Sequence, residues 1–581
     1  MRQSYLIGKA FNQYLWASVL TVATTQVANI IDATIVGNLI GPDALAAVNL
    51  SKPLLQTLFA ISCLYVPAAT ILTGVAIGKG DTGHGGSLFS FSLLLSLVLG
   101  LLCTVGGLVF FGGLSRFLCP SETLYPLAAD FMKVTLLSAV PQLIMYTIHQ
   151  FVTVDGSPRL VTLSVLFGNI FNILLDIVFI KYCGMGIAGA AWATFTMYIV
   201  CILTALLHFR KAGTLRLKAL ALSHPREEAR RLELGRLFGI GLPLFFSTVL
   251  LSVQYVGNNY VADTYLGDSG LVALAVCMQL FSLSMIILTG TLRTIQPVGS
   301  ILRGMDDHHG MLLLMRRAYR FLAICLVVYA AFLIFIPGQI AAALGVVPGC
   351  EAAGVLKTAL PLFSLHIVMQ GLLYNMMPIF QFYGRKHLAL FLSIAQTLLP
   401  MVFFFLLRGH WIGFFLGQLV TALVLVVWIH MLRRRDVSLS PFFLIPLKPA
   451  SQVFEQTMPT SLKNLDDTIL RLNAFLTEAH FHRRTVFHAC LCTEEFLKNI
   501  VQHGHAHVVD VGATIVDGCL NVTLHDDGRP FNPISFTQSD PDRIGLGLKI
   551  AQGVCRHFDY KFLFNQNMLT MQFSSETECE N

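Results

Sequence analysis

Residues 160–181 read LVTLSVLFGNIFNILLDIVFIK, an apolar run whose only charge before Lys181 is Asp176. About 20 such residues cross the hydrocarbon core of a bilayer as a helix. Comparable runs recur from about Tyr14 to His430, each broken by a short Gly, Pro or charged segment, and they number twelve. The rest of the 581-residue chain agrees: 55% of residues are hydrophobic, 43 are Phe and 12% are charged. A soluble chain carries about 25% charged residues. With a mean hydropathy of +0.69, the composition excludes a soluble multidomain enzyme, a disordered chain and a coiled coil. The 13 cysteines are scattered without a CxxC pair, which argues against a disulfide scaffold or structural zinc. The first residues, MRQSYLIGKAFNQYLW, have no small-residue cleavage site and are expected to be retained.

The breaks differ in charge in a regular way, with every second connection marked by charged residues: Lys79 and Asp81, Asp155 and Arg159, Arg210 to Arg236, Arg303 to Arg320, Arg385 to His387, and Arg433 to Arg435. Basic residues in short loops face the cytoplasm. These loops, both chain ends and everything after Arg435 are therefore expected there, in a multi-pass protein of the cell membrane. The net charge of +7 is read as this orientation signal, with no nucleic-acid partner. The Arg210–Arg236 loop falls between the sixth and seventh spans. A shift of 226 residues carries Gly41, Leu45 and Ala47 onto Gly267, Leu271 and Ala273, and a shift of 228 carries Gly156 and Leu160 onto Gly384 and Leu388. The chain thus reads as two six-helix lobes related by an axis along the membrane normal. The expected divisions are 1–209 for the first lobe, 210–236 for the basic loop, 237–432 for the second lobe, 433–450 for a linker and 451–581 for a soluble domain.

A charge among lipid tails is costly and tends to serve a function. Asp32, in QVANIIDATIVG, and Asp176 are two such acids; Asn172 lies four residues before Asp176 on the same helix face, and Thr194 adds a hydroxyl on the next span. Two carboxylates, an amide oxygen and a hydroxyl suit a small hard cation or a shared proton. The alternative is one structural Asp and one at an interface. The repeat puts Asn258, Pro400 and Phe404 where the first half has Asp32, Asn172 and Asp176, so ion coupling is expected in the first lobe alone. Arg293, within a span, is read as meeting an anionic substrate group or a helix C-terminus, or as snorkelling to the interface.

Over residues 1–435 the chain resembles the multidrug and toxic compound extrusion (MATE) transporters. DATIVGNLIG, GVAIGKGD, DGSPRLVTLSVLFGNIFNILLD and GIAGAAWAT carry the resemblance, in that order. It implies twelve spans in two lobes and alternating access. It also implies a secondary-active efflux antiporter that exchanges amphiphilic, often cationic compounds for Na+ or H+. Asp32, Asn172, Asp176 and Thr194 fall where the prokaryotic branch places its cation site. That branch usually has a first-span proline about fifteen residues before the aspartate, a position near Ala17 here, while the second half keeps Pro243. A proline-linked bend of the first helix is thus not implied.

Polar residues return to ordinary density after SLSPFFLIPLKPASQ. The pattern predicts helices over Leu462–Thr477 and Arg484–Gln502, strands near Val509–Ile515, Leu520–Leu524, Tyr560 and Met568, and a further helix from Leu546, as an α+β unit. In CLCTEEFLKNIVQHG, Glu495 and Asn499 share a helix face, an acid fit to be a general base and an amide fit to hold magnesium. Asp526 and Gly528 end a strand, where the acid can accept from an exocyclic amine. Gly545 and Gly547 open a helix, whose N–H groups suit phosphate. His503, His505 and His507 are read as a polar helix end. Together these motifs resemble the histidine-kinase-like (GHKL, Bergerat-fold) ATP-binding superfamily, and NIVQHG resembles the anti-sigma-factor serine kinases. The resemblance implies magnesium and ATP, with Glu495 as base, Asn499 on the metal, Asp526 on adenine, and Gly545 and Gly547 at the phosphates. It also implies serine/threonine protein kinase activity on an anti-sigma-antagonist-like phosphoacceptor. The competing class is a membrane ligand sensor with a kinase output. No G-x-x-x-x-G-K-[ST] loop occurs, so the ATP domain is not expected to power transport.

Overall fold

Helix α1 (Tyr5–Leu39) stops at Gly41, whose φ of 126° is open to glycine and strained for other residues, and α2 (Pro42–Lys79) begins immediately on a proline. The first half continues with α3 (Thr82–Val109), α4 (Phe111–Leu118), α5 (Tyr125–Leu137), α6 (Ala139–Val154), α7 (Pro158–Ile177) and α8 (Gly186–Lys211). The second comprises α9 (Leu234–Gly304), α10 (His308–Phe335), α11 (Pro337–Ala343), α12 (Glu351–Tyr374), α13 (Met377–Phe382), α14 (Lys386–Leu406) and α15 (Ile412–Arg435). This computed structural model describes residues 5–119, 122–211, 215–217, 227, 230–344, 346–446, 452–516, 519–533 and 553–573.

Ten of the described helices are long and apolar enough to cross a membrane, and α5 with α6, bent by 49°, forms one more span. The 71 residues of α9 would reach roughly 105 Å as one rod, far beyond a bilayer. It is non-helical at Gly267, with φ 64°. Dividing it there gives the expected twelve. Gly267 is the partner that the 226-residue shift assigned to Gly41, and the second matched pair, Gly156 and Gly384, also has left-handed backbone, at φ 95° and 68°. The caps repeat too: Asp81 accepts from the His84 N–H at 2.9 Å and Asp307 from the Gly310 N–H at 2.8 Å, each opening a 28-residue helix. One expectation fails. Arg316, Arg317 and Arg320 lie inside α10, which starts at His308, so the connection ends well before Arg320. Helical backbone satisfies its own hydrogen bonds, and long arginine stems let it continue through polar surroundings.

The lobes meet where α2 and α9 cross at the ends nearest the C-terminal domain. A β-carbon on Gly78 would fall 2.2 Å from the Ile301 carbonyl oxygen and 2.8 Å from the Gly304 Cα, and one on Gly304 would fall 2.2 Å from the Val75 oxygen. Gly78 and Gly304 are themselves 226 residues apart. Backbone therefore packs on backbone here, closing this side between the lobes.

The C-terminal unit is a five-stranded antiparallel sheet with two helices packed on one face. Its elements are β1 (Gln452–Pro459), α16 (Leu462–Glu478), α17 (Arg483–His503), β2 (Val508–Val516), β3 (Cys519–Asp526), β4 (His557–Leu563) and β5 (Gln566–Phe573), in sheet order β1-β2-β3-β5-β4. Leu465, Leu472 and Leu497 from the helices meet Val509, Leu520 and Val522 from the sheet in one core. The edge strand β1 was not anticipated. The helix expected from Leu546 lies outside the described residues.

This unit is docked on the first lobe. Leu6 donates its N–H to Asp510 Oδ2 at 3.0 Å, and its carbonyl accepts from Gln566 Nε2 at 2.9 Å. Lys9 pairs with Asp527 at 2.6 Å, Lys561 Nζ donates to the Gly78 carbonyl at 2.9 Å, and Tyr14 meets Phe564 edge-on.

Candidate functional site

In the first lobe, α1 carries Asp32 and α7 carries Asp176, and the two helices are fastened side by side. Thr162 Oγ1 donates to the Ala17 carbonyl at 2.9 Å, and Thr21 lies 2.9 Å from Thr162. The carbonyl of Ala17 thus serves a cross-helix bond in an uninterrupted α1. This anchoring brings the Asp32 and Asp176 carboxyls within hydrogen-bonding reach of each other. Two carboxylates are both acceptors, so their approach requires a proton or a cation between them. Asp176 is fully buried, and neither of its oxygens has a partner among the described residues; Asp32 Oδ1 and Asn172 Nδ2 are also unpartnered. Orphaned oxygens at membrane depth are the donor set a small cation or shared proton satisfies.

Asn172 stands one turn from Asp176 on α7. Thr194 Oγ1 donates to the Ala190 carbonyl at 3.1 Å on its own helix. Lys52, on α2, lies in electrostatic range of Asp32 and escaped sequence reading. Its signal was available, as a lone cation in NLSKPLLQTL. In the second lobe the equivalents differ. Asn258 is buried with both amide atoms unpartnered among the described residues, and Phe404 stacks within 4.5 Å of Phe414. Arg293 is half-buried, in electrostatic range of Tyr146, His149 and Tyr374 from both lobes, which places it between them and not at the lipid surface.

In the C-terminal unit, the two-residue period of β3 buries Leu520, Val522, Leu524 and then Asp526 on the sheet's inner face. Asp526 Oδ1 accepts from Asn567 Nδ2 at 2.8 Å and the Gly528 N–H at 2.9 Å, and Oδ2 takes no hydrogen bond among the described residues. Burial pushes this carboxyl above the ordinary aspartate range, against the pull of those two bonds. Tyr560 holds Asn567 in place through a 2.6 Å bond. Sequence reading missed both residues, since they lie on the two last strands. Burial alone would also raise neighbouring Asp527, but Lys9 and the N–H groups of His507 and Val508 outweigh it and hold the group low.

Gly504, the last residue of NIVQHG, meets this turn directly: its carbonyl accepts from the Arg529 N–H at 2.9 Å. A β-carbon on Gly528 would lie 2.2 Å from that same oxygen. The structure thus joins the end of the Glu495–Asn499 helix to the Asp526–Gly528 turn. Asn499 is exposed and Glu495 half-buried, with Lys498 3.9 Å away. A buried acidic acceptor at the end of the central strand and an exposed amide on the adjoining helix thus lie on either side of this turn. Gly545 and Gly547 lie outside the described residues. Overpacking at Gly528 costs about 1–3 kcal/mol. Gly528→Ala in the full chain is therefore expected to weaken ATP binding by roughly 5- to 150-fold, read by titration with a fluorescent ATP analogue. Unchanged affinity would remove Gly528 from the site.

Residues 17–178 match the MatE family, and residues 458–573 match the histidine kinase-like ATPase domain family. The multidrug export protein MepA of Staphylococcus haemolyticus (strain JCSC1435) is 23% identical over 292 residues, and that of Staphylococcus aureus (strain bovine RF122 / ET3-1) is 21% identical over the same length. Each match takes in 50% of this chain and 64% of the relative, so the chain spans under two thirds of the curated relatives it matches. An outward-facing multidrug resistance MATE transporter of the MOP superfamily superposes with a TM-score of 0.67 at 22% identity, over 75% of this chain and 99% of its own. A MOP superfamily transporter from Pyrococcus furiosus, described as having a binding pocket of reversed polarity, superposes with a TM-score of 0.66 at 23% identity, over 74% and 98%. The chain is therefore a multi-pass membrane protein with a MatE domain and the MATE transporter fold, followed by a histidine kinase-like ATPase domain.

Proposed function

We propose that the chain is a secondary-active efflux antiporter, exchanging an amphiphilic compound for Na+ or H+ at Asp32 and Asp176, under the control of its ATP-binding domain. The observation that carries this reading is the pair of facing carboxyls, one of them fully buried with both oxygens unpartnered among the described residues. Asn172 completes the donor set, with Thr194 on the neighbouring helix. Lys52 would compete with an entering cation for Asp32. The first lobe would comprise residues 1–209 and the second 237–432, with residues 451–581 in the cytoplasm beside the N-terminus. Arg293 bears on the substrate. A fixed positive charge between the lobes opposes the cationic compound that the family resemblance implies, so Arg293 belongs with an anionic or aromatic group of the cargo.

In the ATPase domain, Asp526 would orient adenine, Asn499 would hold Mg2+ through the nucleotide and Glu495 would act as base toward a protein hydroxyl. Its docking on α1 supports a regulatory role. The test is efflux from proteoliposomes under imposed sodium or proton gradients, with and without Mg-ATP. Flux is expected under one of the two gradients without ATP, with ATP changing its rate. Kinase output that responds to a small ligand in the absence of any flux would instead establish a sensor.

A further inference from the structure

A groove of about 680 Å3 opens between the starts of α1 and α7 and the flank of α10, beside the docked domain. On α1 its wall is Lys9, Gln13, Trp16 and Leu20, one face of the helix at spacings of four, three and four. On α7 it is Arg159, Thr162 and Leu163. Both helices run the same way, with a cation at the domain end and an aliphatic side chain deeper in the bilayer. Trp16 stands between, at the depth where indoles favour the membrane interface. The deep end is open to hydrocarbon: Trp16 is 64% exposed, Leu20 52% and Leu163 49%. Arg317, from α10, lies across Gly8, where a β-carbon would collide with its guanidinium.

Two of the three rim cations face carboxylates of the C-terminal unit. Lys9 holds Asp527, and Arg317 lies in electrostatic range of Asp510. Arg159 has no ion pair among the described residues. It also sits in the first turn of α7, where the helix dipole disfavours a cation and the free N–H groups favour an anion. An anion at this point answers both. A soluble phosphate would use the rim alone and leave the apolar floor bare, whereas a lipid fills both parts.

We propose that this groove binds one anionic phospholipid, its phosphate at Arg159, Arg317 and Lys9 and an acyl chain along Trp16, Leu20 and Leu163. Because Lys9 also anchors Asp527, the lipid lies against the seam that holds the ATPase domain. The proposal requires only the membrane placement of the fold and is independent of transport.

The full-length protein, purified in detergent, is offered equimolar phosphatidylglycerol and phosphatidylcholine of identical chains, and retained lipid is read by native mass spectrometry. Preferential retention of phosphatidylglycerol is expected. Arg159→Gln should lower that preference about fivefold, the change corresponding to about 1 kcal/mol per basic residue at a membrane surface, and Arg159→Lys should preserve it. Trp16→Ala should weaken retention of phosphatidylglycerol. Arg159 and Trp16 are exposed, so these variants are expected to fold. Equal retention of the two lipids, or an undiminished preference in Arg159→Gln, overturns the proposal. So does glycerol phosphate displacing the lipid at matched concentration, which would mark a phosphate site without a lipid floor.

Discussion

Asp176→Asn is expected to abolish gradient-driven efflux, by more than tenfold in reconstituted vesicles, while raising the thermal stability of the protein. The two effects share a cause. Asp176 is fully buried with both oxygens unpartnered among the described residues, facing a second carboxyl on α1. Such a group is costly at membrane depth, and its removal relieves the fold. The amide fills nearly the same volume, so packing of α7 on α1 and α8 should survive. What disappears is one of the two acids that together need a proton or cation, and a tenfold loss corresponds to about 1.4 kcal/mol. Asp32→Asn should lose as much, and the double variant little more, because residues acting as a unit are not additive. Thr194→Ala should cost far less, since that hydroxyl already donates to Ala190. Full coupled efflux by Asp176→Asn would end the assignment.

Gly304→Val is expected to hold the protein open on the side of the ATPase domain. A β-carbon there would stand 2.2 Å from the Val75 carbonyl oxygen and 2.9 Å from the Gly78 Cα, both backbone atoms that no rotamer change can move. The ends of α2 and α9 must then separate, since overpacking is relieved only by backbone shifts. Spin labels at Thr82 and His309, placed on a cysteine-depleted background, should report a longer distance between lobes. Efflux should fall by more than tenfold because the closed state is no longer reached. Ser300→Ala is the control, as it removes a hydroxyl beside Gly74 without adding bulk. An unchanged label distance in Gly304→Val would show that the contact is not the closure.

The features legible in sequence were those with local causes. A glycine that must take left-handed backbone stands out at a break between apolar runs, and Gly41 with Gly267 and Gly156 with Gly384 fixed the repeat. The two acids stood out because hydrocarbon makes any charge conspicuous. Asp526 and Gly528 were found through their turn chemistry. What stayed hidden depends on residues far apart in the chain. Asn567 lies 41 residues beyond Asp526 and joins it, with Tyr560, only once β4 and β5 are in register. The strand β1, QVFEQTMP, lies at the sheet edge, where partial exposure blurs alternation, so no period-two signal marked it. The charges of α10 misled for the converse reason: Arg316, Arg317 and Arg320 looked like a loop because a cluster of arginines reads alike in either setting.

Leu6, Lys9 and Gly78, which hold the ATPase domain by hydrogen bonds, belong to the first lobe, while Arg317 of the second lobe lies in electrostatic range of Asp510. Should the lobes rock, a domain bonded in this way to the first would move with it. Asp510 would then be swept toward and away from Arg317 once per cycle, a built-in odometer: a reporter fixed at that contact would tick with each turnover, whatever the cargo.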